Sequence, residues 1–206
     1  MKTSQEFYTE MGADWLSNMK DSASTESELS YLTGIMQKGS RILDLACGYG
    51  RFSIPLAERG FRVYGVDITP AFIDVAQKEA GKRNLDIEFK VGDMRKIPYN
   101  KESFDYVICM WNAFSELALQ EDQVAAVREM YRVLRSNGMA IIEMRNHRSS
   151  GLIEKNFVDG YEAMPTFNHT RGSIRNLMRL SEVNSYKVFI DNFGGRKRLI
   201  LEMVKA

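Results

Sequence analysis

The run Ile42-Leu-Asp-Leu-Ala-Cys-Gly-Tyr-Gly50 constrains this chain more than any other segment. Apolar residues broken by one carboxylate and followed by two glycines describe a strand entering a tight turn. The next residues, with Phe52, Ile54, Leu56 and Ala57 after Arg51, read as a helix. Strand, glycine turn and helix together form a nucleotide-binding corner. The glycines let a ligand lie against bare main chain, and the first N–H groups of the helix attract negative charge. Asp44 narrows the ligand: a carboxylate at this rim repels a diphosphate and tolerates an ammonium or a sulfonium.

The rest of the chain fits one domain of 206 residues with a sizeable core. From Ser40 onward, strand-like runs at about 40–45, 62–67, 86–91, 104–110 and 139–144 alternate with helical patterns. Thr69 is a good N-cap and Pro70 a good first helical residue. A later helix runs from about Asp122 to Leu134, and Asn137-Gly138 turns the chain into the fifth strand. This alternation implies a parallel sheet covered by helices on both faces. Lys187–Ile190 and Leu199–Val204 flank Asp191–Gly195, a hairpin signal that adds antiparallel strands to the sheet. Near the N-terminus, Phe7, Met11, Trp15 and Met19 make one helical stripe. Thr25 and Glu28 have capping-box spacing ahead of Leu29, Leu32, Ile35 and Met36, so a Ser-rich joint at 20–25 is expected between two helices. Residues 145–172, with Asn, His, Ser, Gly and Pro but weak periodicity, read as a long loop that serves as a lid.

Net charge is +1, which favours no class of partner, but residues 145–206 carry 11 Lys and Arg against 6 Asp and Glu. Such a basic end suits an acidic substrate or phosphate, or simply a solvated face. Cys47 and Cys109 have no CxxC neighbour, so no zinc or redox motif is present, and buried, reduced thiols are expected. The start Met-Lys-Thr-Ser-Gln-Glu has no apolar signal region behind it, and no apolar run reaches membrane-spanning length. A cytoplasmic location is expected, without a metal and without a membrane partner. Oligomeric state is open.

The ordered motifs resemble those of the class I S-adenosylmethionine-dependent methyltransferases, especially the group labelled methyltransferase type 11 or 25. Leu43–Gly50 resembles the family's glycine motif, with Ala46 where the fuller pattern has glycine. Val63–Asp67 resembles its second strand with a terminal acid, and Val91-Gly-Asp93-Met94 its third. Phe104–Met110 resembles the fourth strand, and Leu134–Gly138, leading into Met139–Glu143, the turn before the fifth. The resemblance implies an α/β, Rossmann-like, doubly wound and mostly parallel seven-stranded sheet with a C-terminal antiparallel hairpin. It also implies one methyltransferase domain over 1–206. Helices in 1–38 would cap the site, 39–144 would form the cofactor-binding core, 145–172 the substrate lid, and 173–206 the final helix and hairpin.

The resemblance implies S-adenosylmethionine as cofactor, with roles for particular residues. Ala46, Gly48 and Gly50 would line the methionyl part, and Asp44 would favour its ammonium through water. Asp67 would accept from both ribose hydroxyls, Asp93 from the adenine amino group, and the Met94 N–H would serve a ring nitrogen. Ile68 and Met110 would be apolar walls, or plain core. The acceptor side is expected after the fourth and fifth strands, since open sheets bind ligands at their C-terminal ends. Trp111, Asn112 and Phe114 are candidates there, with Glu143, Arg145 and His147. His147 is the candidate general base and His169 a weaker one, while Arg145 and Arg171 are candidates to meet an acidic substrate. Tyr8 and Trp15 would either cover the cofactor or pack as core. A small-molecule acceptor is the first expectation. The alternatives are a nucleic-acid methyltransferase, a nicotinamide-dinucleotide oxidoreductase and a non-catalytic nucleotide-binding relative. The sequence has Met110-Trp-Asn-Ala113 where amino-methylating DNA enzymes carry an Asp/Asn-Pro-Pro-Tyr/Phe motif.

Overall fold

The computed structural model describes residues 2–19, 22–154, 156–158 and 160–206; Lys20 and Asp21 of the expected joint lie outside the described residues. In chain order the strands are β1 (Arg41–Leu45), β2 (Arg62–Asp67), β3 (Glu88–Val91), β4 (Phe104–Cys109), β5 (Leu134–Arg145), β6 (Gly151–Ile153), β7 (Asn156–Val158), β8 (Tyr161–Ala163), β9 (Thr166–Asn168), β10 (Tyr186–Phe193) and β11 (Arg196–Val204). The helices are α1 (Ser4–Asn18), α2 (Ser22–Ile35), α3 (Ser53–Glu58), α4 (Pro70–Lys82), α5 (Gln120–Val133) and α6 (Arg171–Ser181).

Seven strands form one sheet in the order β10-β11-β5-β4-β1-β2-β3. β1 pairs in parallel with β2 and β4, as β2 does with β3 and β4 with β5, and β11 alone runs against its neighbours. This is the mostly parallel, seven-stranded, Rossmann-like sheet with a closing hairpin that the motifs imply. Strand alternation builds its two cores. On one face Leu43, Val107, Cys109, Ala140, Ile142 and Leu201 meet Val127 and Met130 of α5 and Leu177 and Met178 of α6. On the other, Ile42, Ile108, Ile141 and Ile200 meet Leu29 and Leu32 of α2 and Leu56 of α3. Each buried aliphatic side chain contributes roughly 1.5–3 kcal/mol. The strand order reverses at β1, which lies between β2 and β4, so a crevice opens at the carboxyl ends of these strands.

Several local expectations are corrected. α2 starts at Ser22, so Thr25 and Glu28 lie within it and form no capping box. They hold Arg51 instead: the guanidinium donates to Thr25 Oγ1 at 2.9 Å and to Glu28 Oε2 at 2.9 Å. A buried guanidinium must be paired, and that demand outweighs a local cap. Thr69 does stand at the N-cap of α4 with Pro70 next, but its hydroxyl makes no capping bond. The fifth strand starts at Leu134 rather than 139, leaving α5 directly and carrying Asn137 at φ 64° inside it. The hairpin turn shortens to Gly194-Gly195, at φ 55° and 82°, as a two-residue turn between twisted strands requires.

The expected loop at 145–172 is largely an arm of two nested hairpins, with β6 pairing β9 and β7 pairing β8, all antiparallel. Strands of three residues are too short to show a period of two. α1 kinks at Gly12 (φ 78°, ψ 166°). Its buried Phe7 packs on Ala163 and Met164, so the first helix and the arm cover each other at the mouth of the crevice.

Gly65 in β2 is required by packing. A Cβ there would lie 2.4 Å from the Phe89 ring and 3.0 Å from Cys47 Sγ. Gly65→Ala is expected to lower stability by roughly 1–3 kcal/mol through overpacking. A urea unfolding midpoint equal to the parent's would contradict this.

Candidate active site

The glycine turn is held open by the end of β2. One Asp67 carboxylate oxygen accepts the Gly48 N–H at 2.8 Å, and the other accepts the Thr69 N–H at 2.8 Å. Each oxygen keeps a second lone pair. Asp67 is only 7% exposed, and burial raises its pKa against the pull of those N–H groups. Ala46 and Gly48 both take left-handed backbone, at φ 56° and 55°. A side chain costs about 1–2 kcal/mol in that conformation, and Ala46 carries that strain.

A cavity of about 460 Å³ lies over this turn. Ala46, Gly48, Asp67, Ile68, Met94 and Met110 line it, as do Asp93 and Trp111. Leu16, Phe72 and Leu117 add apolar walls. The structure thus brings together seven of the nine residues expected to hold the cofactor, and leaves out Asp44 and Gly50. Asp44 is 1% exposed and is absent from the lining, with its Oδ2 accepting the Ser53 hydroxyl at 2.6 Å. It points between β1 and α3 and supports the turn from beneath, so the water-mediated contact expected of it has no place. Gly50 (φ 89°) likewise shapes the turn without reaching the cavity.

Asp93 lines the cavity with its carboxylate already engaged. Both its oxygens accept from Arg95, Oδ1 from the main-chain N–H at 2.8 Å and Oδ2 from Nη2 at 2.6 Å, and Arg95 Nη1 continues to Asp122 at 3.1 Å. An adenine amino group would have to share this carboxylate with Arg95.

A second cavity, of about 350 Å³, adjoins the first. Tyr8, Leu16, Trp111, Glu116 and Met164 line both. Its far wall is cationic, with Arg145, Arg196, Lys197 and Arg198. Trp111 and Asn112 follow β4 in consecutive left-handed conformations, at φ 57° and 66°, which is strained for a tryptophan. Asn112 stabilises that bend: its N–H donates to Glu143 Oε2 at 3.2 Å, and its Oδ1 accepts from Ser115 and from the Arg145 N–H. Under the Trp111 ring lies the Arg51 guanidinium, 4.3 Å from the ring centroid. Glu28 holds Arg51, and Glu143 holds Arg198 at 3.0 Å, so buried ion pairs carry the floor of the site.

His147, the expected base, is half-buried and lines neither cavity, and its pKa is lowered by burial and by Arg145. His169 is buried between Phe114 and Phe167, and burial brings its pKa down to about 4, so it stays neutral packing. Arg171 starts α6 away from both cavities. Sequence reasoning missed Glu116. Its carboxylate accepts the Tyr8 hydroxyl at 2.6 Å, and burial raises its pKa to about 7. The available signal was a carboxylate in the apolar stretch Ala113–Leu119, just beyond β4, where open sheets take their ligands.

Residues 42–138 match the sequence family described as a methyltransferase domain. The match takes in just under half of the chain, and it is a likeness to that family. The chain is 37% identical over 114 residues to a demethylmenaquinone methyltransferase of Deinococcus radiodurans, covering 54% of this chain and 46% of that one. It is 33% identical over 135 residues to a glycine/sarcosine N-methyltransferase of Aphanothece halophytica, covering 65% and 51%. The chain therefore spans about half the length of these relatives. Beyond the core, a 1,6-didemethyltoxoflavin-N1-methyltransferase of Burkholderia thailandensis shares the fold at a TM-score of 0.76 and 15% identity, covering 98% of this chain and 87% of that one. That structure holds 1,6-didemethyltoxoflavin and S-adenosylhomocysteine. Among the described residues of this methyltransferase-like chain, no helix is long and apolar enough to cross a membrane.

Burial raises the Asp44 pKa to about 7, with the Ser53 hydroxyl opposing and Asp67 adding to the rise. A carboxyl raised in the folded state stabilises the fold fully below its unfolded pKa, and that contribution is lost as pH climbs through 7. Asp44→Asn stays neutral throughout. Its stability relative to the parent is therefore expected to improve by roughly 2–3 kcal/mol from pH 5 to pH 8. Urea denaturation of both proteins at the two pH values checks this, and a difference that does not change with pH would contradict it.

Proposed function

We propose that this protein transfers a methyl group from S-adenosylmethionine to a small-molecule acceptor, with the cofactor in the 460 Å³ cavity and the acceptor in the adjoining 350 Å³ one. The observation that carries the reading is Asp67. Its two oxygens are fixed by main-chain N–H groups at 2.8 Å, and each retains a lone pair for a ribose hydroxyl. Ala46 and Gly48 would offer main chain to the methionyl part, while Ile68, Met94 and Met110 would enclose the adenine and the reacting centre. Asp44 and Gly50 would act by shaping the turn. Bound there, the cofactor supplies an electrophilic methyl on a sulfonium. The protein's own task is then to align the acceptor and exclude water, which Tyr8, Leu16 and Trp111 accomplish at the junction.

The demethylmenaquinone and glycine/sarcosine enzymes named above are consistent with a small acceptor, and Arg145 and Lys197 at the far wall favour one with an acidic group. Residues 1–206 would work as one methyltransferase unit, with α1 and the nested hairpins as the cover expected of the lid.

Isothermal titration with S-adenosylhomocysteine tests the reading, with NADH as the competitor that a dinucleotide oxidoreductase would choose. Micromolar binding of the former and none of the latter is expected; the reverse overturns the proposal. Asp67→Ala should weaken S-adenosylhomocysteine binding by about 1–3 kcal/mol, a loss of five- to more than a hundredfold. An unchanged dissociation constant would remove the ribose from Asp67.

A further inference from the structure

The passage between the two cavities has a specific chemistry. Of the five residues that line both, three are wholly or largely apolar, and the remaining pair is Tyr8 and Glu116. Tyr8 and Glu116 are thus the polar groups at the border that the two cavities share. We propose that Glu116 takes the proton of the methyl acceptor, and that this acceptor presents an N–H or O–H nucleophile rather than one with no proton to lose, such as a thioether or a tertiary amine. This rests on the assignment of the two cavities given above.

The geometry fits that role. Glu116 sits on the short turn Ala113–Glu116 immediately after the strained Trp111–Asn112 bend, so the bend aims it across the mouth of the crevice. Tyr8 of α1 donates to Oε1 at 2.6 Å, and Ser4 of α1 adds a second bond. A carboxylate has about four acceptor positions, so room remains for a proton. Other ionisable groups around the pair are Asp67 at the end of β2, Cys109 of β4 and Arg145 of β5. Burial is the main cause of the raised pKa of Glu116, Tyr8 and Ser4 oppose it, and Asp67 adds to it. A carboxyl that titrates near neutrality is matched to accepting a proton at the operating pH.

The step balances. The acceptor's nitrogen or oxygen forms a bond to the methyl carbon. The methyl–sulfur bond breaks with its electron pair left on sulfur, and the acceptor's proton moves to a Glu116 oxygen and from there to water. A mere latch between α1 and the strand ends would need the Tyr8–Glu116 hydrogen bond but no titration near pH 7. His147 cannot replace Glu116, since it lines neither cavity.

The test combines ionisation with chemistry. Protein labelled with carbon-13 at the glutamate carboxyl and loaded with S-adenosylhomocysteine is titrated by NMR, with Glu116→Gln identifying the signal. A midpoint near 7 is expected, moving upward in Tyr8→Phe, because the lost hydrogen bond stabilised the anion; a midpoint below 5 overturns the proposal. In parallel, radiolabelled S-adenosylmethionine is incubated with the small-molecule fraction of a bacterial extract. Glu116→Gln should bind S-adenosylhomocysteine within threefold of the parent, label the extract at least a hundredfold more slowly, and lose the parent's rise in rate between pH 6 and 8. Labelling at the parent's rate and pH profile overturns the base. Failure of the parent to bind S-adenosylhomocysteine overturns the cavity assignment instead, and a parent that binds it yet labels nothing overturns the base while leaving the cofactor cavity standing.

Discussion

The two main-chain hydrogen bonds accepted by Asp67 organise this protein's site. They join the turn after β1 to the start of α4 across the end of β2, at 2.8 Å each. Without a fixed acceptor, the left-handed Gly48 and Thr69, the residue just before α4, would have no partner for their N–H groups. With it, the crevice that the strand order opens at β1 becomes a walled cavity. The same carboxylate then has two lone pairs left, so one side chain both builds the site and faces whatever fills it.

Charge at the strand ends explains the layout. Asp44, Asp67 and Glu143 stand at the carboxyl ends of β1, β2 and β5, and Glu116 just beyond β4, all raised in pKa chiefly by burial. Such an edge is hostile to a diphosphate. The protein balances part of it with Arg51 and Arg198, whose ion pairs with Glu28 and Glu143 lie beneath Trp111 and Asn112. The strain in those two residues is held by buried charge, which is a cost to stability that a purely structural corner would have no reason to carry.

The fold was legible because long strands and amphipathic helices repeat their pattern enough to be seen. The glycine turn, the acid at 67 and the alternation of strands and helices followed from residue type and spacing, and the seven-stranded sheet from the family resemblance. Three kinds of feature were not legible. The nested hairpins at 151–168 are made of three-residue strands, below the length at which alternation differs from chance. Thr25 and Glu28 carry a local capping signal, but a distant arginine claims them. For the site, residue type placed Asp44 near the ligand and the family resemblance placed Asp93 there, without showing that Ser53 and Arg95 already engage them. Glu116 depends on a hydroxyl 108 residues away, a pairing that only the tertiary structure reveals.

A crystal structure of the protein grown with S-adenosylhomocysteine tests the central claim most directly. The account predicts the adenosyl group in the cavity over the turn, with both ribose hydroxyls on Asp67 and its sulfur directed toward Trp111 and Glu116. A ligand bound elsewhere, or a ribose that leaves Asp67 untouched, would contradict it.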